Sequence, residues 1–169
     1  MNLYILRHGL AADRGASPSS KDADRPLTPK GKRKLWQIAT AMENLGLSFD
    51  LILSSPYLRA RQTAEIVAEA FESPKKLKLC DALAPDGSVK SLVGFLDRLR
   101  PSPKGVVLVG HEPYLSGLIS LLVSGESDLR VTLKKGGLCK LSVESLQAGR
   151  CASLEWLLTP KQMSLIAAI

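Results

Sequence analysis

The chain has 169 residues, 45% hydrophobic and 23% charged, with 23 basic and 16 acidic side chains giving a net charge of +7. That length supplies one ordinary core, and the balance excludes a disordered, fibrous or disulfide-stapled chain. The basic excess favours anionic partners such as phosphates or acidic proteins, whereas 5% aromatics, with no basic run interleaved by stacking residues, argues against nucleic acid.

In chain order, residues 2–6 read as a short apolar strand that ends in Arg7-His8-Gly9. Arg7 and His8 break the run too early for a secretion signal. The loop 11–27 is polar, and disorder is expected only near residues 15–24. Thr28 and Pro29 are start signals for a helix. Its apolar face is Leu35, Ile38, Ala39, Met42 and Leu45, and Gly46 stops it. Residues 51–53 form a buried strand. Pro56 opens a second helix that runs to about Phe71, with Ala64, Val67 and Phe71 facing inward. Residues 77–79 form a short strand, and Ser88 caps a third helix with Val89, Leu92, Val93, Leu96 and Leu99 inward.

The valine and leucine run 105–109 is typical of a central parallel strand. Pro113 opens a fourth helix to about Val123. The longest apolar stretch, 115–123, is too short to cross a bilayer. Residues 138–143 and 153–158 read as two antiparallel strands at the sheet edge. Strand–helix alternation predicts an α/β three-layer sandwich: a mostly parallel central sheet, helices on both faces and an antiparallel edge. One domain is expected over residues 1–169. Cys80, Cys139 and Cys151 are odd in number and lack metal-type spacing. They read as small buried hydrophobes in a reducing, cytoplasmic compartment, with no metal and no cofactor. The cluster Lys30-Gly31-Lys32-Arg33-Lys34 reads as a solvated helix face.

The chemistry gathers at strand ends. Arg7 and His8 follow the first strand, Arg59 follows the turn after the second, and His111 follows the 105–109 strand. In a parallel sheet these ends share one rim, where ligands bind. A neutral imidazole is a nucleophile near pH 7, which fits His8. Two arginines and a protonated His111 can surround a phosphoryl group and offset its charge. Helix starts near Pro56 and Pro113 add partial positive charge. Gly9, lacking a side chain, is expected to let phosphate approach the backbone.

Arg7-His8-Gly9, Ser54-Ser55-Pro56 with Arg59 and Gln62-Thr63-Ala64, and Gly110-His111 resemble the signatures of the histidine phosphatase (phosphoglycerate mutase-like) superfamily. The likeness spans residues 2 to about 125. It implies a phosphohistidine intermediate on His8, phosphate held by Arg7, Arg59 and His111, and no metal. The short length, Asp24-Arg25-Pro26-Leu27-Thr28 and His111-Glu112-Pro113 resemble the small bacterial phosphohistidine phosphatases of the SixA type. By that resemblance Arg25 is a further phosphate-side arginine.

The larger relatives carry an asparagine soon after the Gly9 position and a long helical insertion that brings the general acid. This chain has neither, so mutase activity is not expected. The candidate acids are Asp22, which best matches by its place relative to Arg25, and then Asp24, Asp81, Asp86 and Glu112. A phosphorylated imidazole needs an acid less than an alcohol does, because imidazole has a pKa of about 6.5. A lidless site also suits phosphohistidine on a signalling or phosphorelay protein. The competing readings are a small-molecule phosphomonoesterase and a non-catalytic phosphoprotein-binding module.

Overall fold

The computed structural model describes residues 1–15 and 21–169. Residues 16–20, inside the stretch where disorder was expected, lie outside the described residues, and Asp22–Asp24 form a 3-10 turn. Six strands make one sheet: β1 (Asn2–Arg7), β2 (Leu51–Ser54), β3 (Leu77–Leu79), β4 (Gly105–Gly110), β5 (Leu138–Val143) and β6 (Ala152–Leu158). Their order is β3-β2-β4-β1-β5-β6. The pairs among β3, β2, β4 and β1 are parallel, while β1 with β5 and β5 with β6 are antiparallel. The predicted sandwich with its antiparallel edge is the fold that forms.

The helices are α1 (Pro29–Asn44), α2 (Leu58–Ala70), α3 (Val89–Asp97), α4 (Tyr114–Ser124) and α5 (Pro160–Ile166). Side chains alternate across a strand, and β1 and β4 divide accordingly. Tyr4, Leu6, Val107 and Val109 meet Leu35, Ile38 and Met42 of α1, Ala64 and Val67 of α2, and Met163 of α5. Leu3, Ile5, Val106 and Leu108 meet Leu92 and Leu96 of α3 and Leu115, Leu118 and Ile119 of α4. All six β4 residues are buried, as a strand covered on both faces must be.

The predicted caps form. Thr28 Oγ1 accepts from Gly31 N–H at 2.9 Å, and Ser88 Oγ accepts from Ser91 N–H at 3.2 Å. Several expectations need correction. The second helix begins at Leu58, because Pro56 lies in a bend and Tyr57 is the extended N-cap before it. Leu45 is not on the buried face: it is the C-cap of α1 and 37% exposed. Of the cysteines only Cys139 is buried; Cys80 and Cys151 are half-buried, and all three are free thiols. Helix α5 was not expected. Its start signal is in the sequence, since Thr159 and Gln162 form a capping box. Its seven residues are too few for a periodic apolar stripe to show.

Candidate active site

The site follows from register. Ser54 and Leu6 both pair with Val109 of β4, so the carboxyl ends of β2, β4 and β1 lie side by side. The next residues emerge together: Ser55 and then Arg59 from β2, His111 from β4, Arg7 and His8 from β1. Backbone hydrogen bonds hold these exits in place, from Ser55 N–H to Val109 O at 2.9 Å and from His8 N–H to Gly110 O at 3.1 Å. The cavity they frame is about 370 Å³ and also takes in Asp22, Arg25 and Glu112. All four side chains expected at the rim meet there, with Arg25 and Asp22.

His8 is 5% exposed. Its Nδ1 is 2.7 Å from Gly9 O, and Arg59 Nε–H points at its Nε2 from 3.3 Å. A carbonyl can only accept and a guanidinium can only donate. Nδ1 therefore carries the hydrogen and Nε2 the lone pair, which faces the cavity's arginine. Burial, reinforced by the charges of Arg59 and Arg7, pushes the His8 imidazole down to about 3, so it is neutral near pH 7. Residue 9 is held as firmly. Gly9 N–H donates to Thr63 Oγ1 at 3.1 Å, and Thr63 Oγ1–H donates to Arg59 O at 2.7 Å. One threonine, a turn after Arg59 on α2, thus ties the His8-Gly9 loop to the helix that carries the arginine.

His111 is 2% exposed, 5.1 Å from His8 between ring centroids, with Nε2 at 2.8 Å from Ser55 Oγ. Burial, with Arg59 adding to it, pushes His111 down to about 4. The protonated His111 expected beside a phosphoryl group is a different state: without one, burial and the arginines outweigh the carboxylate of Asp22 and the ring is neutral near pH 7. Two buried polar atoms of cavity residues lack hydrogen-bond partners, Arg7 Nε and His111 Nδ1. Buried polar atoms normally have partners, and an oxyanion in the cavity would supply one. Arg7 is anchored from its other side, with Nη1 donating to Leu133 O at 2.9 Å.

Asp22 accepts from Arg25 Nε at 2.8 Å and from Arg59 Nη2 at 3.0 Å, and its carbonyl accepts from Arg59 Nη1 at 2.7 Å. Partial burial works to raise its pKa, but the hydrogen bond from Arg25 and the charge of Arg59 hold its carboxyl below the usual carboxylate range. An ionised carboxylate paired with three guanidiniums, Arg14 Nε among them at 3.3 Å, fits an anchor better than the general acid anticipated for Asp22. Glu112 lines the cavity and accepts from Ser116 N–H at 3.0 Å. Asp24, Asp81 and Asp86 are exposed and do not line it.

The reason for Gly9 differs from the expected one. A Cβ there would lie 2.6 Å from Leu35 Cδ1 and 3.3 Å from Leu27 Cδ2. The space is core, not phosphate path. Sequence reasoning assigns no separate role to Thr63, Ser55 or Lys135, although Ser55 and Thr63 lie in segments that carry the family resemblance. Thr63 sits at i+4 from Arg59, a spacing that places both on one helix turn; nothing local marks Lys135.

The comparisons with known proteins converge on one group. Residues 3–84 match the model of the histidine phosphatase superfamily (branch 1). The phosphohistidine phosphatase SixA of Escherichia coli K12 is 27% identical over 100% of both chains. The SixA homolog of Haemophilus influenzae is 31% identical over 72% of this chain and 77% of its own. A solved structure of the protein histidine phosphatase SixA complexed with tungstate superposes with a TM-score of 0.80 at 27% identity, covering 95% of this chain and 98% of that one.

Proposed function

The chain belongs to the histidine phosphatase superfamily and is a phosphatase of the SixA type; on that premise we propose that it removes phosphate from phosphohistidine on a protein, with His8 as the nucleophile. The observation that carries this is the state of His8: neutral, with Nδ1–H fixed on Gly9 O and the Nε2 lone pair toward the cavity. Attack by Nε2 forms a phosphorus–nitrogen bond as the bond to the substrate imidazole breaks. The leaving imidazole departs neutral when its other ring nitrogen carries a proton, so no acid is needed. This agrees with a site in which the Asp22 carboxylate is held ionised. Water then takes the phosphoryl group and returns His8 to its starting state.

Arg7, Arg59, Arg25 and His111 surround the transferring group in this reading, and the pull of three guanidiniums on its oxygens is the main catalytic term. Incoming phosphate releases Arg59 Nε from His8 Nε2 and draws a proton onto His111. In this reading residues 1–169 act as one catalytic domain. Among the described residues no cluster of His, Cys, Asp or Glu could hold a metal, and no helix is long and apolar enough to cross a membrane.

The test is phosphate trapping. Wild type and His8→Ala are mixed with a phosphohistidine peptide, quenched in base, and mapped by mass spectrometry. Phosphate on His8, with turnover lost in the variant, supports the reading. Equal turnover in both overturns it, and fast turnover of phosphate monoesters with none of the peptide would favour a small-molecule phosphomonoesterase.

A further inference from the structure

A second concavity, about 580 Å³, lies on the other side of the catalytic loop. It runs between the first turns of α1, the Leu10 turn, the Lys135-Gly136 turn and Pro160 of α5. Its floor is apolar, made by Leu10, Leu35, Ile38 and Pro160. Leu10 is 39% exposed although it directly follows the buried His8-Gly9 pair. Two glycines let these walls come together. A Cβ on Gly31 would sit 2.2 Å from Leu10 O, and Gly136, at φ +76°, would put one 2.7 Å from Ile38 Cδ1.

The rim carries Lys30, Arg33, Lys34 and Lys135, and no acidic residue lines the groove. Among the described residues none of the four forms an ion pair; the pairs present belong to Arg14, Arg25, Arg59 and Arg61. Unpaired like charges around an apolar floor repel one another, and an anionic partner with apolar side chains relieves that. The groove also adjoins the catalytic cavity. Lys135 lines both cavities, and Gly136 N–H donates to Arg7 O and His8 O at 3.0 and 3.2 Å. Concavity argues against a flat membrane surface, and the lining holds no aromatic side chain on which a base could stack.

We propose that this groove docks an acidic, leucine-bearing segment of the same protein whose phosphohistidine enters the active site. The inference rests on the reading that the substrate is protein-borne. Phosphate transfer is chemically alike on every phosphohistidine, so the groove would supply the choice of partner, with charge steering the encounter.

The test uses a fluorescein-labelled, unphosphorylated peptide of alternating Glu and Leu, a Lys-for-Glu control, and phosphoramidate as a small donor. The variant is Arg33→Glu/Lys34→Glu, with Arg33→Gln/Lys34→Gln as its milder form. Both residues are on α1, outside the catalytic cavity. Expected is a loss of about tenfold or more in Glu/Leu peptide affinity for the charge reversal, a smaller loss for the neutral pair, and weakening with salt. Phosphoramidate turnover should stay within about twofold of wild type, which also certifies folding. Equal peptide affinity in wild type and variant overturns the proposal. So does equal binding of the Lys control, or tighter binding of anionic vesicles or a single-stranded oligonucleotide. Peptide binding without phosphoramidate turnover by wild type would instead break the link between groove and substrate, because the active-site reading itself would have failed.

Discussion

Lowering the pH from 7.5 to 5 should destabilise this protein through two residues. The chain has two histidines, the side chains that ordinarily titrate in that range, and both are buried in the candidate active site. In the unfolded chain each takes up a proton near 6.5, whereas burial holds His8 at about 3 and His111 at about 4 in the fold. The unfolded state therefore binds more protons between pH 6.5 and 4, and stability falls as pH falls. Two such groups give a slope approaching about 2.7 kcal/mol per pH unit, and integration from pH 7.5 to 5 gives a loss of about 4 kcal/mol. Set against a typical stability of about 5–15 kcal/mol, that is a large fraction.

Asp22 does not confuse the window. Its lowered carboxyl contributes stability above the ordinary carboxylate range, and that contribution is lost only at lower pH. Urea titrations at four pH values measure the effect; with a slope of about 2 kcal/mol per molar, the midpoint should drop by about 2 M. His111→Gln should halve the pH slope to about 1.4 kcal/mol per unit, whatever it does to absolute stability. A midpoint that stays constant from pH 7.5 to 5 would refute the claim that the fold holds both rings neutral, and with it the account of His8 as a ready nucleophile.

Other consequences can be checked with single variants. Gly9→Ala should cost about 1–3 kcal/mol by overpacking against Leu35; adding Leu35→Val should recover part of it in the same urea assay. Thr63→Val keeps the shape but leaves the Gly9 N–H without its acceptor, costing about 1–3 kcal/mol, and turnover should fall with it as the His8 loop loosens. Asp22→Asn should bind inorganic phosphate several-fold more tightly by calorimetry, because it removes a like charge already held by Arg25 and Arg59; weaker binding would show that positioning of the arginines outweighs that repulsion.

The groups that gather in the candidate active site were legible in the sequence because each sits at a strand exit. His8, Arg59 and His111 follow short apolar runs, and alternation of strands with capped helices allows few sheet arrangements. Their convergence was inferable from chain order once the strands were taken as parallel. The reason for Gly9 was not inferable, since Leu35 reaches it from across the fold. The same holds for Asp22, whose ionised state depends on Arg59, 37 residues away along the chain.

By itself, then, the sequence determined the sandwich, its caps and the identity of the side chains that gather in the cavity, since periodicity and capping act over a few residues. Tertiary structure alone decided the protonation of both histidines, because their burial depends on strands and helices distant in sequence. It also decided that a stretch of α1 lysines and arginine, in sequence an ordinary solvated helix face, borders a groove shared with the catalytic loop. A charged side chain's neighbours across 100 residues of chain are set by the packing of α1 against the Lys135-Gly136 turn, and no local pattern encodes that.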